Sequence, residues 1–135
     1  MKLDIDIKQL LSAVDVPAQW VGLREVYEAH TPRMIRDGVP VANGRASTHG
    51  IMVEVLVNGQ FGYYGTPDMS PESIANAAKK AYLQAEIASS HAHYQFDESA
   101  RPSHQGNYQS PFTKNRNELS AGKLNEILLE AYNHL

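Results

Sequence analysis

His91 and His93 flank a single alanine and form the closest histidine pair in the chain. On an extended segment such an i, i+2 pair can hold one metal ion. A site also needs a third and a fourth ligand, and Asp97 and Glu98 stand nearby. The competing reading is a polar helix end, where histidine suits the negative pole of the dipole. His30, His49, His104 and His134 are scattered and read as surface or satisfied positions. The chain has no cysteine, which excludes a disulfide framework and thiolate chemistry. Serine, histidine and aspartate are plentiful, but there is no G-x-S-x-G elbow and no H-E-x-x-H pair. Gly59, Gly62 and Gly65 precede a helix at a spacing that fits neither phosphate-loop pattern. They have local uses instead: a turn, a cross-strand gap beside Val55, and the start of a loop. Arg33, Arg36 and Arg45 can hold an anion. With Asp37 among them they read rather as a solvated edge that discourages strand aggregation. No catalytic residue is assigned.

The elements that position these residues fit one domain in 135 residues. Net charge is −3, from 12 basic and 15 acidic residues, which argues against a nucleic-acid module with its concentrated basic face. The N-terminus has no long apolar run, since Asp4 and Asp6 interrupt it, so a signal peptide is not expected. No window approaches the ~18 apolar residues of a membrane span. An intracellular location is the default.

Ile7, Leu10, Leu11 and Val14 have helical spacing over 6–14, with Asp6 as N-cap. Residues 19–48 look extended. Asp37-Gly38 and Asn43-Gly44 are both turn signals, and Asp37-Gly38 is preferred as the hairpin. The four residues between them are too few for a normal strand, so one of the two signals is expected to be a bulge or an irregular edge. Pro32 and Pro40 mark edges. Residues 50–57 are the clearest strand, and Asn58-Gly59 turns it back into 60–65. A two-residue turn pairs Val57 with Gln60 and Val53 with Tyr64. Ile51, Val53, Val55, Val57 and Tyr64 then share the core face. Met52, Glu54, Leu56, Phe61 and Tyr63 share a mixed one. Phe61 and Tyr63 are the interaction candidates, for a partner or for packing under the N-terminal helix.

Ser70 caps the next helix, Pro71 fits its first position, and Glu72 complements the dipole. Its stripe of Ile74, Ala77, Ala78, Ala81, Tyr82, Ala85 and Ala88 is small enough to lie close on a sheet, to about residue 90. Residues 91–118 read as a loop or linker, and 119–135 as a last helix capped by Ser120. The expected fold is α+β: a mostly antiparallel sheet of four to five strands with helices on one face. Residues 1–90 are taken as the domain proper.

The run Gly50 to Tyr63, then Thr66-x-Asp68-x-Ser70-Pro71-Glu72 and an alanine-rich helix, resembles the N-terminal domain of the TldD/PmbA family, also called modulators of DNA gyrase. Arg36-Asp37-Gly38 before it fits, as does the later Gly106-Asn107-Tyr108-Gln109-Ser110-Pro111, which resembles the family's connector. The similarity runs over Trp20–Leu135. On it, Gly38, Gly50, Asn58, Gly59, Gly62, Gly65, Ser70 and Pro71 are structural positions. The resemblance implies a cytoplasmic prokaryotic protein with a larger β-rich second domain. Catalytic members carry zinc on an H-E-x-x-x-H motif in that domain, and members without it act as partners. Dimers, homo- or heteromeric, degrade or process peptides in an enclosed cleft.

H-E-x-x-x-H is absent from this chain, so no catalytic or zinc residue carries over. The expectation is a non-catalytic first domain that serves assembly and cleft formation. No cofactor is expected in it, and zinc is expected only in a parent whose second domain has the motif. Its expected partners are its own second domain beyond Leu135 and a second family subunit, with peptide as the parent's substrate. The alternatives are a stand-alone binding module using Phe61, Tyr63 and 91–118, and a small metal enzyme built on His91 and His93. Neither a nucleic acid nor a membrane is an expected partner.

Overall fold

A computed structural model describes residues 5–102 and 108–135. His104 and the Gly106-Asn107 part of the connector motif lie outside the described residues. The elements in order are α1 (Ile7–Leu11), β1 (Trp20–His30), β2 (Arg33–Arg36), β3 (Val39–Asn43), β4 (Ala46–Val57), β5 (Gln60–Thr66), α2 (Pro71–Ser89) and α3 (Ala121–Asn133), with single 3-10 turns at Glu98–Ala100 and Arg116–Glu118. The fold is α+β. Its five strands are divided between two sheets, β1-β4-β5 and β2-β3. The chain forms two compact units, one of residues 1–28 and 48–104, the other of 29–47 and 105–135.

In the first unit, Asn58 (φ 48°) and Gly59 (φ 74°) make the turn between β4 and β5. Both have the positive φ of a type I′ turn, the form that matches strand twist. The register is the one expected, from Val57 opposite Gln60 to Ile51 opposite Thr66. β1 runs antiparallel to β4: Gln19 N–H donates to the Leu56 carbonyl at 2.8 Å, and Glu25 meets His49 further along.

Ile51, Val53, Val55 and Val57 are buried on one face against Ile74, Ala77, Ala78, Ala81 and Ala85 of α2, with Leu10 of α1 beside them. Gly62 is what lets the helix come so near, because a Cβ there would run into the Ala81 carbonyl. α1 is shorter than the spacing predicts. After Leu11 the chain tightens, and Ala13 and Val14 N–H donate to Leu10 and Leu11 carbonyls three residues back.

One expectation about burial is corrected. Tyr64 is exposed rather than in the core. It lies on the edge strand, where Lys80 Nζ sits 4.5 Å from its ring centroid and donates to its hydroxyl at 2.9 Å. A phenol that finds its partner at the surface has no reason to enter an aliphatic core. Leu56, on the mixed face, is fully buried.

In the second unit, Asp37 (φ 51°) and Gly38 (φ 72°) form the β2–β3 hairpin, as preferred. The residues between the two turn signals do make a strand, however, and the irregularity lies inside it. Met34 pairs with Ala42 and Ile35 with Pro40, so Val41 is the bulged residue. A two-stranded ribbon asks for one hydrogen-bonding edge per strand, which leaves room for a proline and a bulge. Ser120 caps α3 through Lys123 N–H at 3.1 Å, and α3 packs beside β2.

Candidate functional site

The mixed face of the β1-β4-β5 sheet carries an aromatic group and an ion pair. Trp20 from β1 and Phe61 from β5 meet edge to face, with centroids 6.1 Å apart at 87°. The chain after α2 returns across this face. Phe96 N–H donates to the Gly59 carbonyl at 2.8 Å, and the Gln60 side-chain amide donates to the Tyr94 carbonyl. The Phe96 ring lies 5.5 Å from Phe61 and 4.9 Å from Tyr94, centroid to centroid. The Glu98–Ala100 turn then sets Arg101 above Phe61, its guanidinium 4.5 Å from the ring centroid. Arg101 Nε and Nη2 both donate to Glu54 Oε1, at 2.8 and 2.6 Å, and Nη2 also reaches the Tyr63 hydroxyl at 3.3 Å.

The electrostatics follow from that geometry. Partial burial, then the Glu54 carboxylate, push the Tyr63 phenol above its ordinary range, and Arg101 opposes them. The hydrogen bond to Glu54 raises Arg101 further. Phe61 is thus half-buried under residues of its own unit, while Tyr63 stays 41% exposed. The expected choice for Phe61 was a partner or the N-terminal helix; it packs instead under residues 94–101. Phe96 and Arg101 are the residues that sequence reasoning missed. Arg101 and Glu54 are 47 residues apart, and no local periodicity links them.

Tyr63 also belongs to an exposed strip with Tyr64, Leu83 and Ile87, which lines a shallow cleft of about 390 Å³ beside Lys80 and Gln84. Gln84 Oε1 accepts the Tyr63 backbone N–H at 2.7 Å, so a side chain takes the bond that another strand would make on this edge.

His91 and His93 are both exposed at the end of α2. His91 N–H donates to the Ala88 carbonyl at 3.1 Å. Among the described residues no group of three or more His, Cys, Asp or Glu is placed to hold a metal. Asp97 is committed elsewhere. It caps its own turn through Ser99, and those bonds hold its carboxyl below the usual range. His49 is satisfied by Glu25, Nε2 to Oε1 at 2.8 Å, and stacks edge-on against Tyr27. His49 also lines a cleft of about 360 Å³ together with Arg24, Thr48 and Thr66. The pairing of His49 with Glu25 was not foreseen. Arg36 and Arg45 are exposed, while Arg33 Nη1 donates to the Pro32 and Gly44 carbonyls, both at 2.9 Å.

The remaining positions serve the backbone. A Cβ on Gly50 would meet the Thr66 carbonyl, and one on Gly59 would meet Gln95; at Gly65 only Met52 Cε is near, at 3.7 Å. Ser70 accepts from Ser73 N–H at 3.3 Å, and Pro71 opens α2. Asp68 supports this cap, accepting from Ser73 Oγ at 2.6 Å and Ser70 N–H at 2.9 Å. These bonds, the Ser73 hydroxyl first, lower its pKa.

Residues 21–85 match the family model of PmbA/TldA metallopeptidase domain 1. This stretch is similar to the first domain of the PmbA/TldD family. The match begins beside Trp20 and ends within α2. It therefore covers both hairpins and the Gly62 contact but not the 94–101 return. Neither a curated protein nor a solved structure matches the chain. Among the described residues, no helix is long and apolar enough to cross a membrane.

Proposed function

We propose that the chain acts as the non-catalytic first domain of a PmbA/TldD-type zinc metallopeptidase, or of such an enzyme's inactive partner, in cytoplasmic peptide degradation or processing. The family match over residues 21–85 carries this reading. The matched residues are used for structure: the Asn58-Gly59 turn, the Gly62 approach and the Ser70 cap. The chain has no H-E-x-x-x-H, so on this reading zinc and hydrolysis belong to a second domain. The domain's part is assembly and the wall of a cleft. The strip of Tyr63, Tyr64, Leu83 and Ile87 is the surface we assign to contact with that domain or with a second subunit, because exposed apolar residues gathered in one place usually meet a partner.

The same strip favours a second reading, a stand-alone protein-binding module. The reading frame separates the two. A frame that runs on past Leu135 into a β-rich domain supports the peptidase assembly, and an H-E-x-x-x-H within it makes the parent the catalytic kind. A stop directly after Leu135 leaves the binding module. Zinc-dependent peptide hydrolysis by the 135-residue chain alone would sink both.

A further inference from the structure

The second unit contains a cleft of about 380 Å³ lined by Thr31, Arg33, Arg116, Leu124, Ile127 and Leu128. Its two walls differ in chemistry. On one, Arg33 Nη1 is held by two backbone carbonyls, while Arg33 Nε is buried with no hydrogen-bond partner among the described residues. Arg116 Nη2 donates to the Thr31 hydroxyl. Carbonyls and a hydroxyl are neutral acceptors, and among the described residues no carboxylate lines the cleft. Two guanidinium groups on one cleft repel each other, and a buried N–H left unpaired is costly. An oxygen anion between the two guanidinium groups offsets their repulsion, and guanidinium forks match a carboxylate in shape.

The other wall is apolar. Leu124, Ile127 and Leu128 stand at i, i+3 and i+4 on α3, so they share one face. That helix has no fully buried residue, and Ile127 is 42% exposed.

We propose that this cleft binds a small branched-chain monocarboxylate, its carboxylate between Arg33 and Arg116 and its alkyl group on Leu124, Ile127 and Leu128. The volume lies within the usual range for small-ligand pockets, about 300–1,000 Å³. Arg116 and all of α3 lie outside residues 21–85, so the site is not a restatement of the family match. The test is calorimetric titration of the full chain with isocaproate, with isocaproamide (same shape, no charge) and with acetate (charge, no tail). Isocaproate binds, and both controls bind at least tenfold more weakly. Arg116→Gln weakens isocaproate at least tenfold without moving the thermal unfolding curve, because Arg116 is an exposed residue. Ile127→Asp, at a half-exposed position, does the same by placing a negative charge on the apolar wall. Equal binding of the amide would overturn the proposal, as would equal binding of acetate, which marks an adventitious ion only. Absence of any isocaproate heat would overturn it too.

Discussion

The two faces of the β1-β4-β5 sheet are covered in opposite ways. On one, α2 presents alanines and Ile74 to the valines of β4, and Gly62 removes the last obstacle to contact. On the other, an irregular return at 94–101 covers Phe61 with Phe96 and Arg101, anchored at Glu54. The first face is dry and depends on shape. The second is half wet and depends on a few directed contacts. Shape complementarity fails steeply when an atom is added, whereas contacts at a wet surface are lost one at a time.

The largest effect should therefore come from Gly62→Ala. The new Cβ meets the Ala81 carbonyl, which belongs to helix backbone and cannot rotate away. The helix must shift, at a cost of about 3 kcal/mol by analogy with overpacked cores. Chemical denaturation measures this, and a loss below about 1 kcal/mol would mean that the close approach is not a constraint on the fold.

Phe96→Ala probes the other face and should cost less, about 1 kcal/mol, well under the ~3–5 kcal/mol of a buried phenylalanine, since Phe96 is 42% exposed. Trp20 is the one tryptophan, and it abuts Phe61. Its emission should move to longer wavelength in the variant while helical content is kept. An unchanged emission would show that 94–101 does not shield the aromatic group.

This division also separates what the sequence made legible from what it did not. The Asn58-Gly59 turn and the β4–β5 register follow from a two-residue turn signal and alternating apolar residues. The Ser70 cap and the alanine stripe follow from local preferences and a 3.6-residue period. Each of these signals lies within a few residues of its effect. Tyr64 broke the pattern because alternation assigns a face but not a depth. At an edge strand the hydroxyl found Lys80 instead of the core. The bulge at Val41 was anticipated in kind and misplaced in position, since pairing partners decide where a ribbon slips. The Arg101–Glu54 and His49–Glu25 pairs were not legible at all. They join distant residues in a chain with many charges, and only the folded sheet selects which ones meet. The family itself was legible from the order of turn, strand, cap and helix, all of which lie in residues 21–85.

Glu54→Gln sharpens the comparison on the second face. Partial burial, and after it Glu54, hold the Tyr63 phenol above its ordinary range. Removing the carboxylate takes away one cause of that rise, while Arg101, which pulls the other way, keeps its contact over the Phe61 ring, so the pH at which Tyr63 ionises falls. An ultraviolet titration read against Tyr63→Phe isolates this one tyrosine. A rise, or no change, would mean that Glu54 does not govern the phenol.

The smallest effects separate two capping carboxylates, one for each face. Asp68 and Asp97 each accept bonds from nearby N–H and hydroxyl groups, and each titrates below the usual carboxylate range. A depressed folded pKa means that the unfolded chain binds more protons. The stabilisation is thus present above the unfolded pKa and is lost as pH falls through the folded one. Asp68 supports the start of α2, whose stripe is the core, so Asp68→Asn should flatten the acid limb of the global stability curve. Asp97 supports only the turn that carries Arg101, so Asp97→Asn should leave that curve in place and change only the pH dependence of Trp20 emission. Both variants are read by denaturation and by fluorescence across the acid range. If Asp97→Asn moved global stability as much as Asp68→Asn, the two faces would unfold as one cooperative block, and the contrast between a core face and a wet face would be one of appearance, not of energy.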